Sequence, residues 1–397
     1  MSKSLNHLPS KSLILAVLCL LISGCGTESN SEQKADSDKN ADVFRSYAVN
    51  IEKPGTRFAD AFESVELLQL EETRQSLLGS VARVRNAGDK LIFPGYNNGE
   101  IYIFSDQGKF LSKFNNTGEA EGQYSSVQDL WVSGDSIVIF DSKKRTIYWY
   151  QHNGDYLKSV KMPEGTGHVY PVGQGFLTDM TFAPAKDSVG YKVHVLDGQL
   201  RVKNELVPNP NPIAFPMGRN TNSFKEYHGK LTFKAMYDDT TYFLNTDVTT
   251  PFIHVNFGEK NLWKDESLKG NLMAVMTAIP KGEGVWNYTP YVNSDLIYMT
   301  YDISLKKLAA VIDRETGAHL ILNTLMKNEE RFDLEPIAWD GDRLMLSMPS
   351  SNVAELLEGM DAGQWRFAAG ASLESIESSE NPVLLWVKFK NLTEGVS

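Results

Sequence analysis

"AGDKLIFPGYNNGEIYIFSDQGKFLSKF" (residues 87–114) aligns without a gap to "SGDSIVIFDSKKRTIYWYQHNGDYLKSV" (residues 133–160), at an offset of 46 residues. Gly88 meets Gly134, Asp89 meets Asp135, Ile101 and Tyr102 meet Ile147 and Tyr148, and Gly108 meets Gly154. In each copy a Gly-Asp turn precedes an apolar run, "KLIF" or "SIVIF". A β-branched and aromatic run follows, "IYIF" or "IYWY", then a glycine turn and an alternating segment, "FLSKF" or "YLKSV". Such runs, bounded by tight-turn residues, read as strands of an antiparallel meander. With the strands expected before each Gly-Asp turn, "SVARVR" (80–85) and "VQDLWV" (127–132), each unit has four strands. A four-stranded unit recurring at this period is the blade of a β-propeller.

Four further segments place a polar or glycine turn before an apolar strand: "GQGFLT" (173–178), "HGKLTF" (228–233), "NSDLIYM" (293–299) and "DGDRLML" (340–346). With the clear pair they make six units, although the period alone leaves room for a seventh. Two strong strands remain, "ESVELLQL" (63–70) at the front and "NPVLLWVKF" (381–389) at the end. Pairing the front strand with the last blade would close the ring and remove an open sheet edge. The expected fold is therefore all-β, a six-bladed propeller of four-stranded antiparallel blades closed by an N-terminal strand. Helical patterns are scarce, "NVAELLEGM" (352–360) being the best. The loop "NNTGEAEGQY" (115–124) lacks the Lys-Ser/Thr of a phosphate loop and does not open a helix. It falls between the last strand of one repeat and the first of the next, as an inter-blade crossover.

The N-terminus has another logic. Lys3 and Lys11 flank a short apolar run, "LILAVLCLLI" (13–22), and small residues lead to Cys25. That is the pattern of a secretory signal, and "LISGC" resembles the bacterial lipobox. The resemblance implies cleavage before Cys25 and acylation there, with Gly26 following as in outer-membrane lipoproteins. Several acyl chains at about 0.8 kcal/mol per buried CH₂ give stable anchoring. Residues 1–24 thus read as the signal, 25–44 as the lipidated cysteine and a flexible acidic tether, and 45–397 as the propeller. The tether is too polar to bury a core. Apart from Cys25 the only cysteine is Cys19, inside the signal, so no disulfide framework or thiolate metal site is expected. Loss of Lys3 and Lys11 takes the formal charge from −11 to −13. That surface disfavours nucleic acid.

Asp141, Arg145, Ile147 and Gly154 stand where the NHL-type repeat has its aspartate, arginine, strand residue and turn glycine, whereas the other copy carries Gly95 and Gly99 at the first two positions. Taken whole, residues 58–392 resemble the six-bladed, NHL/TolB-like β-propeller lipoproteins of Bacteroidota. The resemblance rests on the lipobox, the "ESVELLQLEET" front strand, the "GEAEGQY" loop, "FIHVNFGEKNL" (252–262) and the closing strand. It implies fold more than activity, since members of that family mostly have none assigned.

No Gly-x-Ser-x-Gly elbow occurs, and no histidines lie at His-x-His or His-Glu-x-x-His spacing. No catalytic residue, metal ligand or cofactor is expected from the sequence. Turn-anchored registers place Arg83, Gln128, Asp129, Tyr170, Lys225, Tyr288 and Glu335 on the innermost strands or just before them, facing the axis. Trp263 and Trp286, near glycine or charged residues, are candidate loop aromatics for binding. The expected role is a binding or assembly module, anchored to the membrane by its lipid, for a peptide, a glycan or an envelope protein. The alternative is a gluconolactonase-like metal-dependent hydrolase that gathers carboxylates at the axis. The anchor is tested directly: Cys25→Ser is expected to move the protein from the membrane to the soluble fraction, and unchanged fractionation would contradict acylation.

Overall fold

Where each of the two copies is most apolar, its strands pair with each other. Lys90–Pro94 joins Ile101–Ser105, and Ser136–Asp141 joins Thr146–Gln151, each as the two middle strands of an antiparallel sheet. Phe93, Tyr102, Phe104, Ile137, Ile139, Ile147 and Tyr150 are buried because each sheet packs against a neighbour on both faces. The outer strand Tyr156–Lys161 is largely exposed and correspondingly rich in polar residues. The computed structural model describes residues 42–96, 99–183, 190–210, 221–282, 284–328 and 331–392. Cys25 and the expected signal and most of the expected tether lie outside them.

Six sheets result. Blade I holds Arg85–Ala87, Lys90–Pro94, Ile101–Ser105 and Phe110–Phe114. Blade II holds Asp129–Ser133, Ser136–Asp141, Thr146–Gln151 and Tyr156–Lys161. Blade III is His168–Val172, Gly175–Asp179, Gly190–Leu196 and Val202–Asn209. Blade IV is Phe224–Tyr227, Lys230–Phe233, Thr240–Leu244 and Thr249–Asn256. Blade V comprises Val285–Val292, Leu296–Ile303, Lys306–Asp313 and His319–Asn323. Blade VI takes Glu335–Asp340, Arg343–Met348 and Val383–Phe389 from the end of the chain, and Phe62–Gln69 from the front. The protein is a six-bladed β-propeller.

The closure is antiparallel, with Leu385 opposite Leu67 and Val387 opposite Val65. Ahead of it, Arg45–Ala48 and Gly55–Arg57 pair in parallel with the outer strands of blades IV and V. Trp365–Phe367 covers the outer edge of the closing strand. One side chain locks this seam. Asn381 is only 1% exposed and accepts from Leu78 N at 2.8 Å. Its amide nitrogen lies 2.9 Å from Ser76 O and 3.2 Å from Glu71 O, donating toward both.

The structure differs locally from the sequence reading. The first strand of blade I begins at Arg85, not at residue 80. Arg83 adopts a left-handed φ of 54° that interrupts extended backbone there. The "NVAELLEGM" segment is helical over Val353–Glu358, but the longer helix is Leu272–Lys281, which "LMAVMTAI" conceals as an apolar run. Its signals are the Asn271 side chain capping Ala274 N and Gly282 at φ 73°.

The "NNTGEAEGQY" loop is the crossover from blade I to blade II. Its Gly122 has φ 74°, and a Cβ there would lie 2.7 Å from the Tyr156 ring. Tyr124 is buried and donates to Gly99 O at 2.6 Å, and burial pushes its phenol up to about 12. Asp141 anchors the end of the crossover, accepting from Ser125 N at 2.6 Å, Ser126 Oγ at 2.8 Å and Lys143 N at 2.9 Å. Burial acts to raise its pKa, but the bonds from Ser125, Lys144 and Ser126 outweigh it and leave the carboxyl below its ordinary value. The aspartate of the NHL-like pattern is thus a structural tie.

Asn381→Ala strands a buried N–H and several carbonyls at the seam. It is expected to lower unfolding free energy by roughly 2–4 kcal/mol in a denaturant titration. Leu305→Ala, at a position 89% exposed, should change it by no more than about 0.5 kcal/mol. Equal effects would contradict the seam's role.

Candidate functional site

Six innermost strands surround an axial cavity of about 1000 Å³. Each blade contributes at least one side chain of chemical interest: Arg85, Asp129, Tyr170, Lys225, Tyr291 and Glu335 in order around the ring. The cavity also meets inter-blade crossovers, at Gly79, Arg83, Asn222 and Asp333, and loops after second strands, at Tyr96, Lys234 and Pro349. The first-to-second-strand turns, such as Gly88-Asp89 and Gly134-Asp135, do not line it. The cavity therefore lies toward the face that carries the crossovers, where loop side chains and strand ends converge.

Three carboxylates in its wall already accept donors. Asp129 is 2.9 Å from His168 Nδ1, accepts from Val169 N at 2.9 Å and accepts from Asn222 Nδ2 at 2.7 Å. It thereby joins blades II, III and IV at the axis. Glu226 accepts from the Tyr170 hydroxyl at 2.8 Å, and burial, then this bond, keep the phenol protonated well above its ordinary value. Glu335 is paired with Lys307 at 2.9 Å. Among the described residues no group of three or more His, Cys, Asp or Glu is arranged to hold a metal ion.

The arginines are used differently. Arg83 spans to the neighbouring crossover, donating from Nη1 to Val127 O at 2.8 Å and Gln128 O at 2.7 Å. Arg85 donates from Nε to Leu130 O at 2.8 Å. Both guanidinium pKa values are lowered, first by burial and partly by each other's charge for Arg83, while Asp129 opposes the shift in each.

Arg83, Gln128, Asp129, Tyr170, Lys225, Tyr288 and Glu335 all line the cavity. Their neighbours refine the picture. Gln128 reaches His168 and Ser142, and the Tyr288 ring turns into the core between blades IV and V, donating to Asp239 O at 2.8 Å. Trp263 and Trp286 lie elsewhere. They pack with Leu262, Val275 and Ile279 beneath helix Leu272–Lys281, and Trp263 Nε1 donates to Trp286 O at 2.6 Å. Trp286 belongs to strand Val285–Val292 and not to a loop, which is why its ring is core. Arg85, His168, Asn222 and Tyr291 escape the sequence reading. Period two from Arg83 would have found Arg85, but His168 and Asn222 reach Asp129 from 39 and 93 residues away and leave no local signal.

A family model described as "Domain of unknown function (DUF4934)" matches residues 45–388. A crystal structure of a Bacteroides fragilis protein inferred to be exported is similar in fold, with a TM-score of 0.69 at 15% identity. The match covers 88% of this chain and 100% of that one. A member of the DUF4221 family from Bacteroides vulgatus gives a TM-score of 0.43 at 12% identity, covering 83% of this chain and 98% of that one. No curated protein matches the sequence.

Two lysines in the cavity wall have unusual electrostatics. Burial, followed by the charges of Arg85 and Lys307 and opposed by Glu335, pushes the Lys225 ammonium down to about 7. Its nitrogen sits 3.9 Å above the Tyr291 ring. Burial pushes Lys234 down to about 7 as well, with Asp238 and Asp302 opposing. Lys234 donates to Asn287 Oδ1 at 3.1 Å. A lysine depressed by folding binds fewer protons folded than unfolded between about pH 7 and the unfolded value near 10.4. Stability should therefore rise with pH across that window. Lys225→Met is expected to raise the melting temperature at pH 7 and flatten the rise toward pH 10, as read by thermal unfolding across pH. An unchanged slope would show Lys225 to be ordinarily charged.

Proposed function

The chain belongs to the family described as a domain of unknown function (DUF4934), and we propose that it is an envelope binding module holding its ligand in the axial channel. The observation that carries this reading is the cavity itself, about 1000 Å³ and lined from all six blades. That size matches pockets that enclose small ligands, roughly 300–1000 Å³. Its wall mixes aromatic side chains, Trp131, Tyr170 and Trp339, with a few polar groups fixed by hydrogen bonds to the scaffold. A rigid wall with prepositioned polar groups loses little entropy on binding. Three carboxylates of the wall, Asp129, Glu226 and Glu335, are engaged by protein donors, which supports binding over hydrolysis.

The module is lipidated at Cys25, carried by the 25–44 tether and displayed from the outer membrane. Its ligand is a peptide, a glycan fragment or a projecting segment of an envelope protein that enters the crossover face. Ala338 is exposed and lines the channel, so Ala338→Trp should obstruct it without opening the core. Binding found on a peptide or glycan array should be lost in Ala338→Trp while the melting temperature is held. Binding unaltered in the obstructed variant would place the site elsewhere. Metal-dependent turnover on a lactone and ester panel would replace the binding role with catalysis.

A further inference from the structure

The channel wall has an imbalance that its charge count hides. Among the described residues Arg83, Arg85, Lys225 and Lys234 share the wall with Asp129, Glu226, Asp333 and Glu335, formally four against four. Hydrogen bonding is not so even. Asp129, Glu226 and Glu335 accept from protein donors, and Lys234 is held by Asn287. Arg83 uses only Nη1, on two backbone carbonyls, and leaves Nε and Nη2 without a partner among the described residues. Arg85 likewise spends Nε and Nη1 on carbonyls. Lys225 has no hydrogen-bond acceptor among the described residues, only the face of Tyr291. Arg83 in the crossover before blade I, Arg85 on its innermost strand and Lys225 across the ring on blade IV thus present donor capacity to the cavity, and no carboxylate among the described residues forms an ion pair with any of them.

We infer that the channel recognises its ligand through a carboxylate, received between Arg83, Arg85 and Lys225. This rests on the channel being the ligand site. The free Nε–Nη2 edge of Arg83 is the planar fork that matches two carboxylate oxygens. The ammonium of Lys225 supplies a point charge from the opposite part of the ring, in the field of Arg85. Asp129, Glu226 and Glu335 offset part of the positive charge, so the site suits a monoanion and disfavours a phosphate dianion. Trp131, Tyr170 and Trp339 supply apolar and stacking surface for the body that bears the carboxylate.

Binding also takes up a proton. A carboxylate beside Lys225 favours its charged form, so affinity should be highest below about pH 7 and fall as pH rises through the free-state midpoint. The groups acting on Lys225 are Arg85 from blade I, Tyr291 and Lys307 from blade V and Glu335 from blade VI.

The experiment uses the full chain in detergent and two matched probe pairs, glucuronate with glucose and N-acetylglycine with its amide, each titrated by calorimetry. In at least one pair the carboxylate should bind roughly tenfold tighter or more than its neutral partner, the size of one charge-assisted contact. Arg83→Gln should weaken it by a similar factor. Lys225→Gln, which removes no hydrogen bond of the protein, should weaken it too and abolish the loss of affinity between pH 6 and 8. The pair that responds distinguishes a sugar acid from a peptide terminus. Equal affinity within both pairs, no carboxylate binding at millimolar concentration, or unaltered binding in Lys225→Gln would overturn the inference. Should the neutral members bind equally well and lose binding in Ala338→Trp, the channel remains the site and only the carboxylate assignment fails.

Discussion

Everything in the molecule depends on strand Phe62–Gln69 completing blade VI. A ring of blades encloses an axis only when its first and last blades meet. Here the meeting is made by main-chain pairing between the two ends of the domain and by the buried amide of Asn381. Without that strand, Val383–Phe389 would present a long apolar edge, the kind of template that drives aggregation. The preceding strands, Arg45–Ala48 and Gly55–Arg57, extend the same strategy by covering the outer strands of blades IV and V. The front of the domain is therefore a belt across half of the ring.

Closure has a consequence at the axis. The six innermost strands are held at fixed spacing, so polar side chains there serve both as ties between blades and as the wall of a cavity. Asp129 bridges three blades, while Arg83 and Arg85 bridge the first two. Such groups are prepositioned by bonds to the scaffold and need not reorganise to meet a ligand. Lys225 is the exception. It is held against an aromatic face and near other cations, an arrangement that makes sense when an anion completes it.

The fold was legible because turn chemistry repeats. Gly-Asp turns and the apolar strands after them recur from blade to blade, and in blades III to VI the same turn-then-strand signal falls on Gly175–Asp179, Lys230–Phe233, Leu296–Ile303 and Arg343–Met348. Turn-anchored registers pointed to seven residues that line the cavity. What the pattern could not carry was anything set by a local break or a distant partner. The left-handed Arg83 delays the first strand, a bulge near Trp286 accompanies its burial, and the partners of Asp129 come from other blades. Helix Leu272–Lys281 was hidden for another reason: eight apolar or small residues in a row give no helical period, and only its caps betray it.

That the closed ring holds a ligand at its axis is tested most directly by crystals of the protein soaked in a monocarboxylate and examined by difference density. Density between Arg83, Arg85 and Lys225, with the six blades unmoved, is the result predicted. Density confined to the outer blade surfaces, or a channel filled only by ordered water at saturating probe, would contradict it.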